Sequence, residues 1–298
     1  MEKTIFRTPK ENRLQTQKGT TVFLYAFLAV FIIYGATLIA PVLWILWNSL
    51  KTGEAFYESS FVAPDFANLQ WQNFKNAFIE IEFNNTSFIM MFFNSVWMSG
   101  VKVVVSLIAS TLTAYALARF RFPCKSLLYS IAIVIQVVPI IGTGGATYKF
   151  LFQAGMINNP ALIWLAWAGG FDFSFIVLYG YFKSISGTYA EAASIDGASQ
   201  LTIMLKIMLP QAIPAIASLA IMNFITAWND YQTPMLFMRN YPTMALGIYS
   251  FKNSSSWLSN GTPVYFCAVL IAMLPVCIIF ACTQKMIMTN VTAGGLKG

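Results

Sequence analysis

The sequence predicts an all-α membrane protein with six transmembrane helices, both termini inside (N-in/C-in) and a short cytoplasmic helix between the fourth and fifth spans. Three observations lead to this fold class. Hydrophobic residues make up 57% of the 298 residues and charged residues only 10%, a balance unlike that of a soluble domain. The apolar residues are gathered into runs long enough to cross about 30 Å of hydrocarbon. Lysine and arginine concentrate in alternate connecting segments.

Six apolar runs are the candidate spans. They cover residues 22–47, 88–118, 127–148, 161–182, 212–237 and 264–286. The first run is longer than the hydrophobic region of a signal peptide and no small-residue cleavage motif follows it, so we expect it to stay as a membrane helix. Residues 1–20 are predicted to form a cytoplasmic arm, residues 21–298 the transmembrane domain, and residues 287–298 a cytoplasmic tail within it.

Glycine and proline interrupt the third run near its outer end. The residues are Pro139, Gly142, Gly144 and Gly145. They free backbone polar groups that must be satisfied by protein or water, which predicts a helix break that faces an internal cavity. In the segment after the first run, Trp71, Phe74 and Phe78 fall at helical spacing and predict a short amphipathic helix on the membrane surface. Four tryptophans are interpreted as interfacial anchors: Trp44, Trp47, Trp164 and Trp167.

Basic residues decide the predicted orientation, because short basic segments are retained in the cytoplasm. With the N-terminus inside, the cytoplasmic face carries Lys3, Arg7, Lys10, Arg13, Lys18, Arg119, Arg121, Lys125, Lys183, Lys206, Lys285 and Lys297. The opposite face carries the shorter set Lys51, Lys75, Lys149, Arg239 and Lys252. The net charge of +7 is therefore attributed to topology, and no nucleic-acid partner is expected.

Several kinds of site are excluded by composition. The chain has no histidine, which removes His-dependent triads and His-containing zinc sites. The four cysteines, Cys124, Cys267, Cys277 and Cys282, form neither a disulfide framework nor a metal-binding spacing. No Walker A sequence is present. We therefore expect no cofactor or metal on this chain and no enzymatic activity.

The loop of residues 183–211 is the one predicted cytoplasmic connection long enough to hold its own structure. Thr188 followed by Glu191 reads as a capping box that begins a short helix. Gly197 then permits a sharp turn, and a second helical piece is expected to run to Pro210. A short helix exposed below a membrane bundle buries little against its own chain, so its natural use is to sit in a groove on another protein.

This loop resembles the EAA signature of bacterial binding-protein-dependent ABC importer permeases. The matching positions are Glu191, Ala192, Ala193, Asp196, Gly197, Ile207, Leu209 and Pro210. The resemblance extends over nearly the whole chain, which is similar to the maltose-type group of carbohydrate permeases. It includes Asn48–Thr52, Asn94–Ser95, Ala114–Phe120, Ala227–Tyr231 and Thr292–Gly298.

The resemblance implies a membrane-spanning subunit of an ATP-driven sugar importer in the bacterial inner membrane. The EAA loop would form a coupling helix docked on a separate nucleotide-binding subunit, which holds ATP and magnesium. The implied partners are two ATP-binding subunits, a second permease that is usually a different chain, an extracytoplasmic solute-binding protein and membrane lipid.

Ionisable groups within spans are functional candidates by default, and three qualify: Lys102, Asp172 and Asp230. Lys102 is expected either to reach toward the membrane surface or to pair with an acid across the bundle, and Asp172 to serve either structure or solute. Asp230 lies in a polar and aromatic stretch suited to sugar. The predicted solute path is Asn223, Trp228, Asn229, Asp230, Tyr231 and Asp172. Helix packing or gating is the alternative use of this stretch.

A second hypothesis is an ion-coupled secondary transporter or channel. It would use Lys102, Asp172 and Asp230 as a proton or cation relay. The EAA loop argues against it. The two hypotheses differ in whether uptake requires ATP or an ion gradient.

Overall fold

The computed structural model describes residues 18–138, 142–254 and 261–295, and folds them almost entirely into helices. The helices are α1 (Lys18–Ser49), α2 (Gly53–Glu58), α3 (Gln72–Glu80), α4 (Phe88–Arg119), α5 (Lys125–Val137), α6 (Gly144–Gln153), α7 (Phe173–Ser184), α8 (Thr188–Ile195), α9 (Gln200–Ile203), α10 (Leu209–Trp228), α11 (Gln232–Phe237), α12 (Met244–Lys252) and α13 (Thr262–Gly295). A 3-10 turn covers Ile163–Trp167 and a π-helical turn covers Met204–Met208.

Four helical segments of the described chain are long and apolar enough to cross a membrane. They are Val22–Ser49, Phe88–Arg119, Gln200–Trp228 and Thr262–Gln284. Three of them coincide with the predicted first, second and sixth spans. The last helix continues to Gly295, beyond the predicted start of the tail at residue 287. Residues 1–17 of the predicted arm and residues 296–298 of the tail lie outside the described residues.

The predicted third and fourth spans are each divided. The division of the third span was predicted from its glycine and proline residues, whereas residues 161–182 were predicted as one span. In the third, α5 ends at Val137 and α6 begins at Gly144, on either side of the predicted break; Pro139 lies outside the described residues. A helix of 13 residues is about 20 Å long, shorter than the hydrocarbon layer. In the fourth, Gly169 and Gly170 separate the 3-10 turn from α7, and Gly170 adopts a φ of +70° that interrupts a right-handed helix.

The predicted fifth span is displaced toward the N-terminus. The chain is helical from Gln200 to Trp228, so the second helical piece does not stop at Pro210 and the span does not reach residue 237. Proline has no N–H, and the chain next to Pro210 adapts by a π turn in which the Leu209 N–H donates to the Met204 carbonyl. Beyond Trp228 the helix stops, and α11 begins only at Gln232.

Helix α4 lies at the centre of the packing. Its middle and C-terminal parts pack against α7 and α10 in a cluster built around Leu107, Tyr115, Phe175, Phe182 and Leu219. Its N-terminal part joins α3, α12 and α13 in a second cluster. Helix α1 packs mainly on α13. The interior polar groups discussed below therefore lie where α4 meets α7 and α10.

The segment between α1 and α4 is held by local polar contacts. The buried Lys51 donates from Nζ to the carbonyl oxygens of Ser59 and Val62, each at 2.7 Å, and burial lowers the pKa of its ammonium group. Helix α3 confirms the predicted amphipathic helix. A hairpin of β1 (Glu82–Phe83) and β2 (Thr86–Ser87) then leads directly into α4. Its two turn residues are asparagines with positive φ, as a two-residue hairpin turn favours.

Candidate functional site

A cavity of about 520 Å³ opens where α4, α7 and α10 meet, a volume typical of ligand sites. Residues of α4, α5 and α10, of the 3-10 turn and of the interrupted stretch before α7 line it. The lining residues are Lys102, Val103, Ser106, Ile135, Ala166, Trp167, Gly169, Gly170, Phe171, Asp172, Asn223, Thr226 and Ala227. The wall is mostly apolar, with few polar groups placed among aromatic rings. Irregular backbone within a membrane protein is tolerated where it lines such a space.

Asp172 lies at the N-terminus of α7 and is held by neutral donors. Its carboxylate accepts a hydrogen bond from the Phe175 backbone N–H at 3.0 Å, which caps α7. Ser106 and Ser110, one turn apart on α4, donate their hydroxyls to its two oxygens at 2.8 and 2.7 Å. Asp172 therefore serves structure, and it also faces the cavity; its contact with solute stays a prediction.

Lys102 and Asp230 form an ion pair with 2.8 Å between Nζ and Oδ2. Asp230 follows the end of α10 and also accepts hydrogen bonds from the backbone N–H and hydroxyl of Thr233 in α11. Lys102 thus pairs with an acid across the bundle, one of the two alternatives left open by the sequence. The pair fixes the break between α10 and α11 against α4 at the edge of the cavity.

The six residues of the predicted solute path are not brought together on one cavity. Asn223 lines the cavity with Asp172, and its amide donates to the Ser174 hydroxyl at 3.0 Å. Trp228 and Asn229 instead line a separate cavity of about 340 Å³ between α10, α12 and α13. Tyr231 stacks on Tyr249 with 4.2 Å between ring centroids. The structure thus does not gather these residues on one cavity around Asp230, and their part in a solute path stays a prediction.

Helical geometry explains the separation. Ala227 lies four residues after Asn223 and faces the same cavity, whereas Trp228 is turned to another side of α10 because each residue rotates the helix by about 100°. The buried Trp228 ring donates from Nε1 to the Ala272 carbonyl at 3.0 Å and packs on Phe92 and Phe224. Trp228 is thus a packing residue between α10 and α13.

Helix α8 carries the first part of the EAA signature and none of its residues is buried. Ala190 and Ala193 rest on the main core cluster, while Tyr189 and Ile195 point outward with 58% and 87% of their surface exposed. Gly197, with a φ of +80°, ends the helix as predicted. The later signature residues Ile207, Leu209 and Pro210 lie in the helix that continues into α10.

The predicted capping box is not formed, although the helix begins where it was expected. The N-cap of α8 is Gly187, and no side chain caps the helix. The Thr188 hydroxyl is instead 2.8 Å from the Ser186 hydroxyl, and the Glu191 N–H bonds to the Gly187 carbonyl. Helical backbone starts one residue earlier than the box requires, so Thr188 is already inside the first turn and cannot cap it.

The chain matches the family model described as "binding-protein-dependent transport system inner membrane component" over residues 103–292. The chain belongs to this family. The matched range contains Val103 and Ser106 of the cavity wall, the segment of α8 to α10 and most of α13, whereas Lys102 lies just before it.

Members of the family with similar sequences span nearly the whole chain. One is the diacetylchitobiose uptake system permease protein NgcG of Streptomyces coelicolor, 28% identical over 273 residues, which cover 90% of this chain and 87% of the relative. Another is the maltose/maltodextrin transport system permease protein MalG of Escherichia coli, 26% identical over 300 residues, which cover 95% of this chain and 98% of the relative. The chain is thus a membrane component of an ABC transport system.

The fold is shared with a chain in the crystal structure of a bacterial ABC transporter involved in the import of the acidic polysaccharide alginate. The TM-score is 0.73 at 22% identity, and the match covers 90% of this chain and 98% of that chain. The arrangement of helices is therefore that of an ABC importer permease.

Three parts of the site were missed by the sequence argument. Ser106 and Ser110 hold Asp172, and their spacing from Lys102 by four and eight residues was a signal of one polar stripe on α4. Trp167, interpreted as an interfacial anchor, lines the cavity. No sequence signal separated it from the other tryptophans. The exposure of Ile195 was not predicted either, because an apolar residue close to Ala193 is usually interpreted as part of a buried helix face.

Proposed function

We propose that this chain is a permease subunit of an ATP-driven, binding-protein-dependent importer, and that it forms half of the translocation path for a sugar or oligosaccharide. ATP and magnesium would be bound by two separate ATPase subunits. A second permease and an extracytoplasmic solute-binding protein would complete the assembly in the bacterial inner membrane. The sugar assignment is supported by the relatives NgcG and MalG, which are permeases for diacetylchitobiose and for maltose and maltodextrins.

The single observation that carries coupling to an ATPase is the exposure of α8. A helix of 8 residues with no buried member is too short to be stable by propensity alone, yet it carries the EAA signature and presents Tyr189 and Ile195 outward. Docking in a groove on the ATPase would bury both side chains. The residues proposed to transmit coupling are Glu191, Ala192, Ala193, Asp196, Gly197, Ile207, Leu209 and Pro210.

The proposed architecture keeps six spans with both termini inside. The third crossing would be made by α5 with α6, and the fourth by residues 163–184, each through an interruption. Ile135, Ala166 and Gly169 beside these interruptions line the cavity, where water and polar side chains can satisfy free backbone groups.

The exposed Cys124 before α5 gives a direct test of this topology. In a variant with the other three cysteines replaced, a membrane-impermeant maleimide should label Cys124 in inverted vesicles and not in intact spheroplasts.

Solute would pass through the cavity between α4, α7 and α10. Sugar recognition combines hydrogen-bonding groups for hydroxyls with an aromatic face for the apolar side of a ring. The hydrogen-bonding groups would be Lys102, Asp172 and Asn223. The aromatic faces would be those of Trp167 and Phe171. Asp230 would act as the counter-ion of Lys102. The packing of the neighbouring helices would involve Trp228, Asn229 and Tyr231.

ATP-driven uptake is the test of the proposed function. The chain would be purified with its ATPase and partner permease, reconstituted in proteoliposomes, and assayed for uptake of labelled sugar delivered by the binding protein. Uptake should require ATP and persist when ionophores collapse the ion gradients. Uptake driven by a gradient without ATP would overturn the proposal in favour of an ion-coupled transporter that uses Lys102, Asp172 and Asp230.

A further inference from the structure

The charge of the cavity is not balanced. Lys102 and Asp172 are the charged side chains among its described lining residues, and Lys102 is already paired with Asp230 at 2.8 Å. That ion pair is the one found among the described residues. The partners of Asp172 are two serine hydroxyls and a backbone N–H, which carry no net charge. The cavity therefore presents a net negative charge at Asp172.

The carboxylate of Asp172 accepts fewer hydrogen bonds within the described chain than it can accept in total. A carboxylate offers about four acceptor positions, and three donors occupy Asp172: Ser106 on one oxygen, Ser110 and the Phe175 N–H on the other. One position remains for a donor that enters the cavity. A hydroxyl of a neutral sugar can fill it, whereas a second carboxylate has no proton to donate at neutral pH.

From these two features we infer that Asp172 acts as a charge filter, so that the cavity admits uncharged saccharides and discriminates against anionic ones such as uronic acid oligomers. The inference rests on the proposed function, because it assigns the cavity to solute. The fold itself does not impose this choice, since a chain with the same fold belongs to an alginate transporter. Discrimination would come from the unpaired carboxylate, where like charges in a partly desolvated site weaken binding of an anion by about tenfold or more.

Equilibrium dialysis on the assembled transporter in nanodiscs, without its binding protein, would test the filter. The probes are labelled maltotriose, which is neutral, and trigalacturonate, which is acidic. Wild type should bind maltotriose at least about tenfold more tightly than trigalacturonate. Asp172→Asn should narrow that ratio by about tenfold. Asparagine removes the charge and keeps one oxygen, which can still cap α7; its NH2 group replaces the oxygen that accepts from Ser106 and can donate to the Ser106 hydroxyl instead. Asp65→Asn is the matched control, since Asp65 is exposed, lies outside this cavity and should leave the ratio unchanged.

A second variant protects the test from a folding defect at Asp172. Thr226→Lys adds a positive charge from α10 to the same cavity without touching the bonds of Asp172, and should also favour trigalacturonate. The inference is overturned if wild type binds both probes equally, if neither probe binds, or if both variants leave the ratio unchanged. ATP-driven uptake is measured separately. Normal uptake with an unchanged ratio therefore refutes the filter alone, and absent uptake with a shifted ratio refutes the importer alone.

Discussion

The guanidinium group of Arg119 donates a 2.6 Å hydrogen bond to the backbone carbonyl of Ile185. Arg119 ends α4, the helix that lines the cavity, and Ile185 ends α7, just before α8. A second tie lies nearby, where the Tyr181 hydroxyl donates to the Gln211 carbonyl at 2.6 Å. The first bond ties the chain just before α8 to α4, and the second ties α7 to α10. Such ties are the kind of connection that coupling between an ATPase and a solute path needs.

Replacing Arg119 should loosen this connection without dissociating the bundle. Arg119→Gln removes a charge-assisted bond to a carbonyl, worth about 1–3 kcal/mol, and we expect several-fold less transport for each ATP hydrolysed. Arg121→Gln is the control, because Arg121 is exposed in the same turn and makes no hydrogen bond or ion pair among the described residues. Equal transport per ATP in the two variants would contradict a role for Arg119 in coupling.

Gly197 should be sensitive to backbone preference and not to side-chain size. Its φ is +80°, and a Cβ placed there would have no heavy atom within 4 Å, so the cost of substitution is conformational. Gly197→Val should strain the turn after α8 by about 1–2 kcal/mol, and lower binding-protein-stimulated ATPase activity and uptake. Gly197→Asn should retain most activity, because asparagine tolerates the left-handed region. Identical losses in both variants would point instead to steric contact with the partner.

The fold class could be predicted from the sequence, because long apolar runs are local patterns. Helix α8 begins where it was predicted, although the capping box from which its start was predicted is not formed. The extent of the break in the fourth span could not be predicted, because it depends on how Gly170 packs against Thr113 of α4, whose hydroxyl donates to the Gly170 carbonyl. The grouping of the proposed solute-path residues could not be predicted either, because neighbours in sequence such as Asn223 and Trp228 face different sides of α10. The pairing of Lys102 with Asp230, 128 residues apart, was one of two open alternatives that only tertiary structure could decide.

The outward face of α8 should be required for assembly. Ile195 is 87% exposed, and placing a charge there would oppose its burial in an apolar groove. We expect Ile195→Glu to reduce co-purification of the ATPase subunit by at least about tenfold, equivalent to roughly 1.4 kcal/mol. Phe66→Glu is the matched control, because Phe66 is 75% exposed in the segment between α2 and α3. Full retention of the ATPase by the Ile195 variant would remove α8 from the proposed interface.

The Lys102–Asp230 pair allows its structural and functional contributions to be separated by a double-mutant cycle. The two side chains are 31% and 20% exposed, so either charge left without its partner should be costly. We expect Lys102→Met and Asp230→Asn each to lower the free energy of unfolding by about 1–3 kcal/mol. The loss should appear as a lower apparent Tm of the detergent-solubilised protein. The double variant should recover part of that loss, with an interaction energy of about 0.5–3 kcal/mol. Asparagine at position 230 can still accept the bond from the Thr233 backbone N–H, which keeps the start of α11 in place, and its NH2 group can donate to the Thr233 hydroxyl. Uptake assays on the double variant should then show whether the ion pair contributes to transport in addition to stability. If the double variant is stable but slow, the pair contributes to the movement of α10 and α11 against α4; if it is stable and transports normally, the pair only holds the helices together.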